Sequence, residues 1–268
     1  MRIDVYLTQY GHTPSRARAQ QLIAQRQIML DGTPVVKAGM AVDENIPHNV
    51  EIGKDIPFVG RGGCKLEGAL DAFGLSVKDA VAVDIGASTG GFSDCLLRRG
   101  ATRVYAVDSG SGQLAPALLA DERVVNMEKC NARYLTPDAL GEDFVSGGGA
   151  DIVVMDVSFI SQTYIHPVIK SLLKQDGFAV TLIKPQFEVG REHLGKSGVV
   201  KQPKWRRAAV EKVLEGAKTV GLLPTDLIRS PIEGGDGNVE YLVLLCQAEN
   251  TSKKPLTAQA LPASLFEA

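Results

Sequence analysis

The sequence predicts an α/β protein with a Rossmann-like fold, a seven-stranded and mostly parallel sheet, behind a small N-terminal α+β unit. Three observations predict it. From about Lys65 onward, short continuous apolar runs alternate with segments of helical periodicity, as expected of strands buried on both faces by crossover helices. One of those runs, VAVDI at 81–85, leads directly into the glycine-rich stretch GASTGGF, and open sheets of this kind bind ligands at the carboxyl ends of their strands. The first 54 residues follow a different pattern, two short helices and then a hairpin signal.

In the N-terminal unit, residues 1–54, Val5 and Leu7 belong to a short helix that Gly11 closes, and Ser15 suits the N-cap of a second helix carrying Leu22 and Ile23. Ile28-Met29-Leu30, Asp31-Gly32 and Pro34-Val35-Val36 read as strand, tight turn and strand. Residues 55–64, with one proline and three glycines, read as a linker. The larger domain spans 65–247. Its first helix carries Leu66, Leu70 and Phe73. Strands follow at Val81–Val83, Val104–Val107, Val124–Val125, Ile152–Met155 and Phe178–Ile183, with helices at 91–99, from about Thr163 to Leu173, and around Trp205–Val220. Leu222–Ile228 and Val239–Leu245 are joined too closely for a helical crossover, so they pair antiparallel at the sheet edge. Residues 248–268 lack sustained periodicity and read as a loose tail. Trp205 is expected in the core.

Composition excludes several classes. With 268 residues, 44% apolar and 22% charged, the chain can bury a full core, and a net charge of -2 means that any nucleic-acid surface is local. The four cysteines form no Cys-x-x-Cys pair and the four histidines are dispersed, so no zinc spacing exists and no metal is expected. The N-terminus has no signal-peptide core, and no apolar run approaches the ~18–20 residues that span a bilayer. A cytoplasmic protein with no membrane association is expected.

The glycine loop is the sharpest motif. Glycine lets a backbone approach a ligand closely, and Asp108, about twenty residues on at the end of the second strand, stands where a carboxylate accepts hydrogen bonds from a ribose diol. The spacing is Gly86-x-x-x-Gly90-Gly91 rather than the Gly-x-Gly-x-x-Gly that seats a pyrophosphate. Asp84, an acidic residue just ahead of the first glycine, disfavours a phosphate and suits the methionine ammonium or an ordered water. S-adenosylmethionine is therefore favoured over NAD as the cofactor. The residues expected around it are Asp84, Gly86, Ala87, Ser88, Thr89, Gly90, Gly91, Phe92 and Asp108.

Four charged residues lie where strand ends would converge: Lys65 after the linker glycines, Asp156 and Lys184 at the ends of the fourth and fifth strands, and Glu240 opening the last. Any one of them alone is an ordinary solvated strand end; four facing one crevice are less easily dismissed as that. A ribose 2'-hydroxyl must be oriented towards a methyl donor and must lose its proton as the bond forms. A lysine driven towards neutrality by burial and by a second ammonium could accept that proton, with the carboxylates orienting the lysines.

RGGCKL at 61–66, DIGASTGGFSD at 84–94, NARYLT at 131–136, VMDVSFIS at 154–161, IKPQFEVGRE at 183–192 and GGDGNVEYL at 234–242 resemble the TlyA family. That family, long called hemolysin A, belongs to the FtsJ-like ribose methyltransferases. RIDVYL, SRARAQQLI and LDGTPVVKAG near the N-terminus resemble the RNA-binding domain shared with ribosomal protein S4. Over about residues 1–247 the resemblance implies 2'-O-methylation of ribosomal RNA (cytidines of the 16S or 23S species), with Lys65, Asp156, Lys184 and Glu240 as a catalytic tetrad and Asn131 near the adenine. The chain departs from the family pattern at Cys64, where leucine is commoner, at Asp31, where asparagine is usual, and in KQPKWRR after Val200.

Arg2, Arg16, Arg18, Arg26 and Lys37 are the RNA-contacting candidates of the small domain, against the plainer reading of a solvated charged face. Lys201, Lys204, Arg206 and Arg207 form a second cluster, the edge of an RNA groove or only a helix start. Two other functions compete with methyl transfer to ribosomal RNA or ribosomal subunits. One is an RNA-binding assembly factor without chemistry, which the intact tetrad opposes. The other is a membrane-active hemolysin, for which the sequence offers no amphipathic basic helix.

Overall fold

The computed structural model describes residues 1–24, 27–35, 37–52, 58–195, 197–234, 237–248, 255–257 and 260–267. The chain divides into two compact units, Met1–Pro57 and Phe58–Ala268.

The first unit packs α1 (Ile3–Gln9) and α2 (Arg16–Ala24) with a three-stranded sheet of order β2-β1-β3, where β1 is Ile28–Leu30, β2 Thr33–Pro34 and β3 Val50–Ile52. Ile3, Leu7, Leu22, Ile23, Ile28 and Val35 form its core. Ser15 caps α2, its Oγ accepting from Arg18 N at 3.2 Å. Asp31 and Gly32 both take positive φ, 51° and 75°, the geometry of a two-residue hairpin turn. Strand β2 is shorter than the apolar run predicts, and Val36 lies outside the described residues. Strand β3 has no counterpart in the sequence reading: with only one of its three residues partly buried, it shows no alternation to detect.

In the second unit the glycines of the expected linker are not linker. Gly62 opens α3 (Gly62–Phe73), so Lys65 lies in the first turn of a helix. The seven-stranded sheet has order β6-β5-β4-β7-β8-β10-β9, built from β4 (Val81–Ile85), β5 (Arg103–Val107), β6 (Val124–Met127), β7 (Ala150–Met155), β8 (Leu173–Ile183), β9 (Leu222–Arg229) and β10 (Tyr241–Gln247). Strands β6, β5, β4, β7 and β8 pair in parallel, and β10 is antiparallel to both of its neighbours. Alternate residues point to opposite faces. Val83, Ile85, Val153, Met155 and Tyr241 meet α7 (His166–Leu172) and α9 (Pro203–Thr219) on one side, while α3 and α4 (Gly91–Arg98) cover the other. Between β5 and β7 lie two short helices, α5 (Pro116–Leu119) and α6 (Glu142–Ser146).

The terminal strand pair lies antiparallel at the sheet edge as expected, with β9 outermost and β10 between it and β8: YLVLL is fully buried, whereas β9 contains Pro224, which lacks an N–H and suits an edge strand; a register shift lies where Pro224 meets Leu245. Two expectations are corrected. The helix expected over Thr163–Leu173 is a 3-10 turn at Gln162–Tyr164 followed by α7, and β8 begins at Leu173, five residues earlier than its apolar run.

The tail is not loose where it is described. Leu261 and Phe266 are buried, the Phe266 ring lies 5.4 Å from that of Tyr241, and Arg206, Arg207 and Arg229 donate to the carbonyls of Phe266, Leu261 and Glu267 at 3.0, 3.3 and 2.9 Å. Arg206 is itself buried and also binds Val200 O at 2.9 Å, so it is a structural pin rather than part of a cationic edge. Trp205 is half-buried rather than core, its ring stacked on His193 at 3.4 Å.

Candidate active site at the carboxyl ends of the strands

Strand β4 ends at Ile85, and Gly86 turns the chain away with φ +85°. A Cβ on Gly86 would stand 2.5 Å from the carbonyl oxygen of Asp156 at the end of neighbouring β7. Only glycine lets these two strand ends approach so closely. Gly91 makes a second close approach, since its Cβ would lie 3.0–3.3 Å from the backbone of Gly60, Gly62 and Gly63. Two cavities meet at this point. The larger, about 410 Å³, is lined by Gly86, Ser88, Asp108, Asn131, Asp156 and Phe159 among others, within the usual ~300–1,000 Å³ of small-molecule sites. The smaller, about 240 Å³, is lined by Gly62, Ala87, Thr89, Gly91, Phe92 and Lys184, together with Gly86, Ser88, Asp156 and Ser158, which it shares with the first.

Asp108 stands at the end of β5. Its two carboxylate oxygens each accept one backbone bond, from Ser88 N at 2.8 Å and Gly110 N at 2.7 Å. Each oxygen keeps a further lone pair for a ligand. A carboxylate held in this way, on the wall of a cavity floored by a glycine loop, fits a ribose diol, and Asn131 lines the same cavity. Its Oδ1 accepts from Arg133 N at 3.1 Å, capping a 3-10 turn. The residues present fit an adenosine-bearing cofactor.

Asp84 is placed differently from its expectation. It is fully buried and lines neither cavity; Ser93 donates to its Oδ2 at 2.7 Å, while Oδ1 has no partner. Burial pushes its carboxyl up to about 7, against the opposing Ser93 bond and with help from the negative charge of Asp156. Gly90 also lines neither cavity; with φ +93° it caps α4.

The four charged candidates form two ion pairs. Lys184 Nζ lies 2.6 Å from Asp156 Oδ1 and donates to Ser158 Oγ at 2.9 Å. Lys65 Nζ donates to Glu240 Oε2, and both side chains are nearly inaccessible. Asp156 and Lys184 line the smaller cavity; Lys65 and Glu240 do not. The link between the pairs is α3: Gly62, whose Cβ position lies 4.0 Å from Asp156 Oδ2, is three residues before Lys65 in the same helical turn. Each lysine has its own carboxylate partner.

Ser158, Gln113 and Phe159 line these cavities without having been singled out in the sequence. Gln113 accepts from Ser88 Oγ at 3.2 Å. Phe159 is 90% exposed with φ +65°. Ser158 carries only one weak signal, its place two residues after Asp156.

In the small domain Arg2 and Arg16 are only partly available. Both bind the buried carboxylate of Asp4, at 3.0 and 3.1 Å, and Gln20 adds a third bond at 2.7 Å. Those bonds hold Asp4 well below the usual carboxylate range despite its burial. Arg18 binds Gln21 at 2.9 Å, Lys37 is exposed, and Arg26 lies outside the described residues. No group of side chains suited to a metal ion occurs among the described residues, and none of their helices is long and apolar enough to cross a membrane.

Comparison with known proteins matches residues 58–247 to the FtsJ-like methyltransferase family and residues 1–45 to the S4 domain. The chain is 40% identical over 267 residues to the 16S/23S rRNA (cytidine-2'-O)-methyltransferase TlyA of Mycobacterium tuberculosis, covering 100% of this chain and 96% of that one. It is 43% identical over 244 residues to YqxC of Bacillus subtilis, covering 91% and 85%. A solved structure from Streptococcus thermophilus, described as a hemolysin, superposes with a TM-score of 0.75 at 36% identity, covering 99% of this chain and 94% of that one. The motifs, the sheet order and the glycine loop agree with these likenesses: the chain belongs to the FtsJ-like methyltransferase family, among the TlyA-type members that carry an S4 domain ahead of the methyltransferase domain.

Proposed function

We propose that this protein binds S-adenosylmethionine over the glycine loop and methylates ribose 2'-hydroxyls of ribosomal RNA, cytidine being the nucleotide named for its TlyA relatives. The observation that carries this reading is the Lys184–Asp156 pair in the wall of the cavity next to that loop. The bound cofactor supplies an electrophilic methyl group on a sulfonium. The chain's own residues do the rest. Asp108 and Asn131 hold the adenosine, and Gly86 allows it to lie against the strand ends. Lys184 meets the hydroxyl and accepts its proton as the methyl group is transferred; Asp156, at 2.6 Å, orients that lysine. Lys65 and Glu240 brace the first turn of α3 beside Asp156. The S4-type unit, residues 1–54 with Arg2, Arg16, Arg18, Arg26 and Lys37, contacts RNA phosphates.

Single-turnover methylation of ribosomal RNA tests the chemistry. Lys184→Ala should abolish transfer while leaving S-adenosylmethionine affinity intact, since acid–base help is worth ~10²–10⁴-fold. Lys184→Arg should fail too, because a guanidinium keeps its proton near neutral pH. An Arg variant within a few-fold of wild type would show that Lys184 acts as a fixed positive charge and not as the base.

A further inference from the structure

The segments that leave β7 and β8 are fastened to each other residue by residue. Beyond the Lys184–Ser158 bond, the rings of Phe159 and Phe187 lie 5.1 Å apart. Thr181 Oγ1 donates to Gln162 Oε1 at 2.6 Å. At the far end Glu188 Oε2 accepts from Ser161 Oγ at 2.5 Å, and Oε1 accepts from Gln162 N at 2.9 Å. The Glu188 side chain is only 2% exposed, and Lys212 Nζ lies 3.2 Å from it. A carboxylate is kept this deep only when its lone pairs are filled. Glu188 closes α8 (Pro185–Glu188), a single turn directly after Lys184. A helix that short has no stability of its own, so tertiary bonds must set where it begins.

We infer that Glu188 is a positioning residue for methyl transfer: by clamping α8 to the loop after β7 it holds Lys184 Nζ against Asp156 and Ser158. The inference rests on Lys184 and Asp156 acting as proposed above. Without the clamp, Lys184 would remain in the chain but lose its alignment, and displacement of a reacting group by about 1 Å can cost on the order of 10²-fold in rate. The cofactor contacts of Asp108 and Asn131 lie on other segments and should be spared.

The experiment compares wild type, Glu188→Ala, Glu188→Gln and Ser161→Ala as full chains, measuring single-turnover methylation of ribosomal RNA at saturating RNA and S-adenosylmethionine, together with cofactor affinity. Glu188→Ala should lower the rate constant about ten- to hundred-fold with cofactor affinity unchanged. Glu188→Gln keeps an acceptor for Gln162 N and should recover most of the loss; Ser161→Ala should fall between the two. A Glu188→Ala enzyme at wild-type rate, or one losing rate and cofactor affinity in proportion, overturns the inference. If Glu188→Ala does not fold, Ser161→Ala at wild-type rate overturns it. Lys184→Ala is run alongside: if that variant stays active, the Lys184 reading fails, whereas an inactive Lys184→Ala beside an unimpaired Glu188→Ala defeats the clamp alone.

Discussion

Replacing Gly86 by alanine adds one methyl group at the point where both cavities meet. Two costs follow from the geometry. The backbone at φ +85° is left-handed, which an L side chain adopts at about 1–2 kcal/mol. The new Cβ would stand 2.5 Å from Asp156 O and 3.0 Å from its carbonyl carbon, where real Cβ contacts essentially never fall below 3.0 Å. Both obstructing atoms are backbone, so no side chain can swing aside, and overpacking of this kind costs about 1–3 kcal/mol. The sum, roughly 2–5 kcal/mol, must appear as lost stability or as a displacement of the loop from β7. Either loosens the cavity floor. The expected result is a fall of at least ~10-fold in S-adenosylmethionine affinity by calorimetry, since about 1.4 kcal/mol is tenfold, with a melting temperature lower by several degrees. Full affinity and an unchanged melting temperature in Gly86→Ala would refute the claim that this close approach shapes the site.

Asp84 makes a pH prediction. Its carboxyl is raised from 3.8 to about 7 in the folded protein, so folding takes up a proton between those values. The stability it contributes is complete below about pH 4, declines as pH rises to about 7, and is level above. Asp84→Asn should remove a slope worth on the order of 4 kcal/mol, read as a wild-type-minus-variant difference in urea unfolding; parallel pH profiles would refute it. Arg206→Met strips a buried donor from Val200 O and Phe266 O, at about 1–3 kcal/mol per orphaned carbonyl; a melting temperature within a degree of wild type would show the tail to be dispensable. Deleting residues 1–57 should weaken RNA binding and flatten its dependence on salt while sparing cofactor affinity, because phosphate contacts release counterions. Equal affinity of the truncated and full chains for ribosomal subunits would count against the small domain as the RNA anchor.

Local chemistry alone made much of this protein readable. The turn at Asp31-Gly32, the cap at Ser15, the strand entering Gly86 and the carboxylate at Asp108 depend on backbone preferences and spacings within a few tens of residues, which sequence records directly. So did the motifs around Lys65, Asp156, Lys184 and Glu240. Only tertiary structure decided how those charges pair, because sequence position does not say which carboxylate meets which lysine. It also decided that Asp84 is enclosed behind the loop instead of facing the cavity, and that Arg2 and Arg16 lean on the buried carboxylate of Asp4. The insertion of β10 between β8 and β9 follows from which strand can bury both faces, a comparison between distant segments. The tail docks for a similar reason. Leu261 and Phe266 have no periodicity to reveal them; their partners, Tyr241 and the arginines of α9 and β9, lie between 25 and 60 residues earlier.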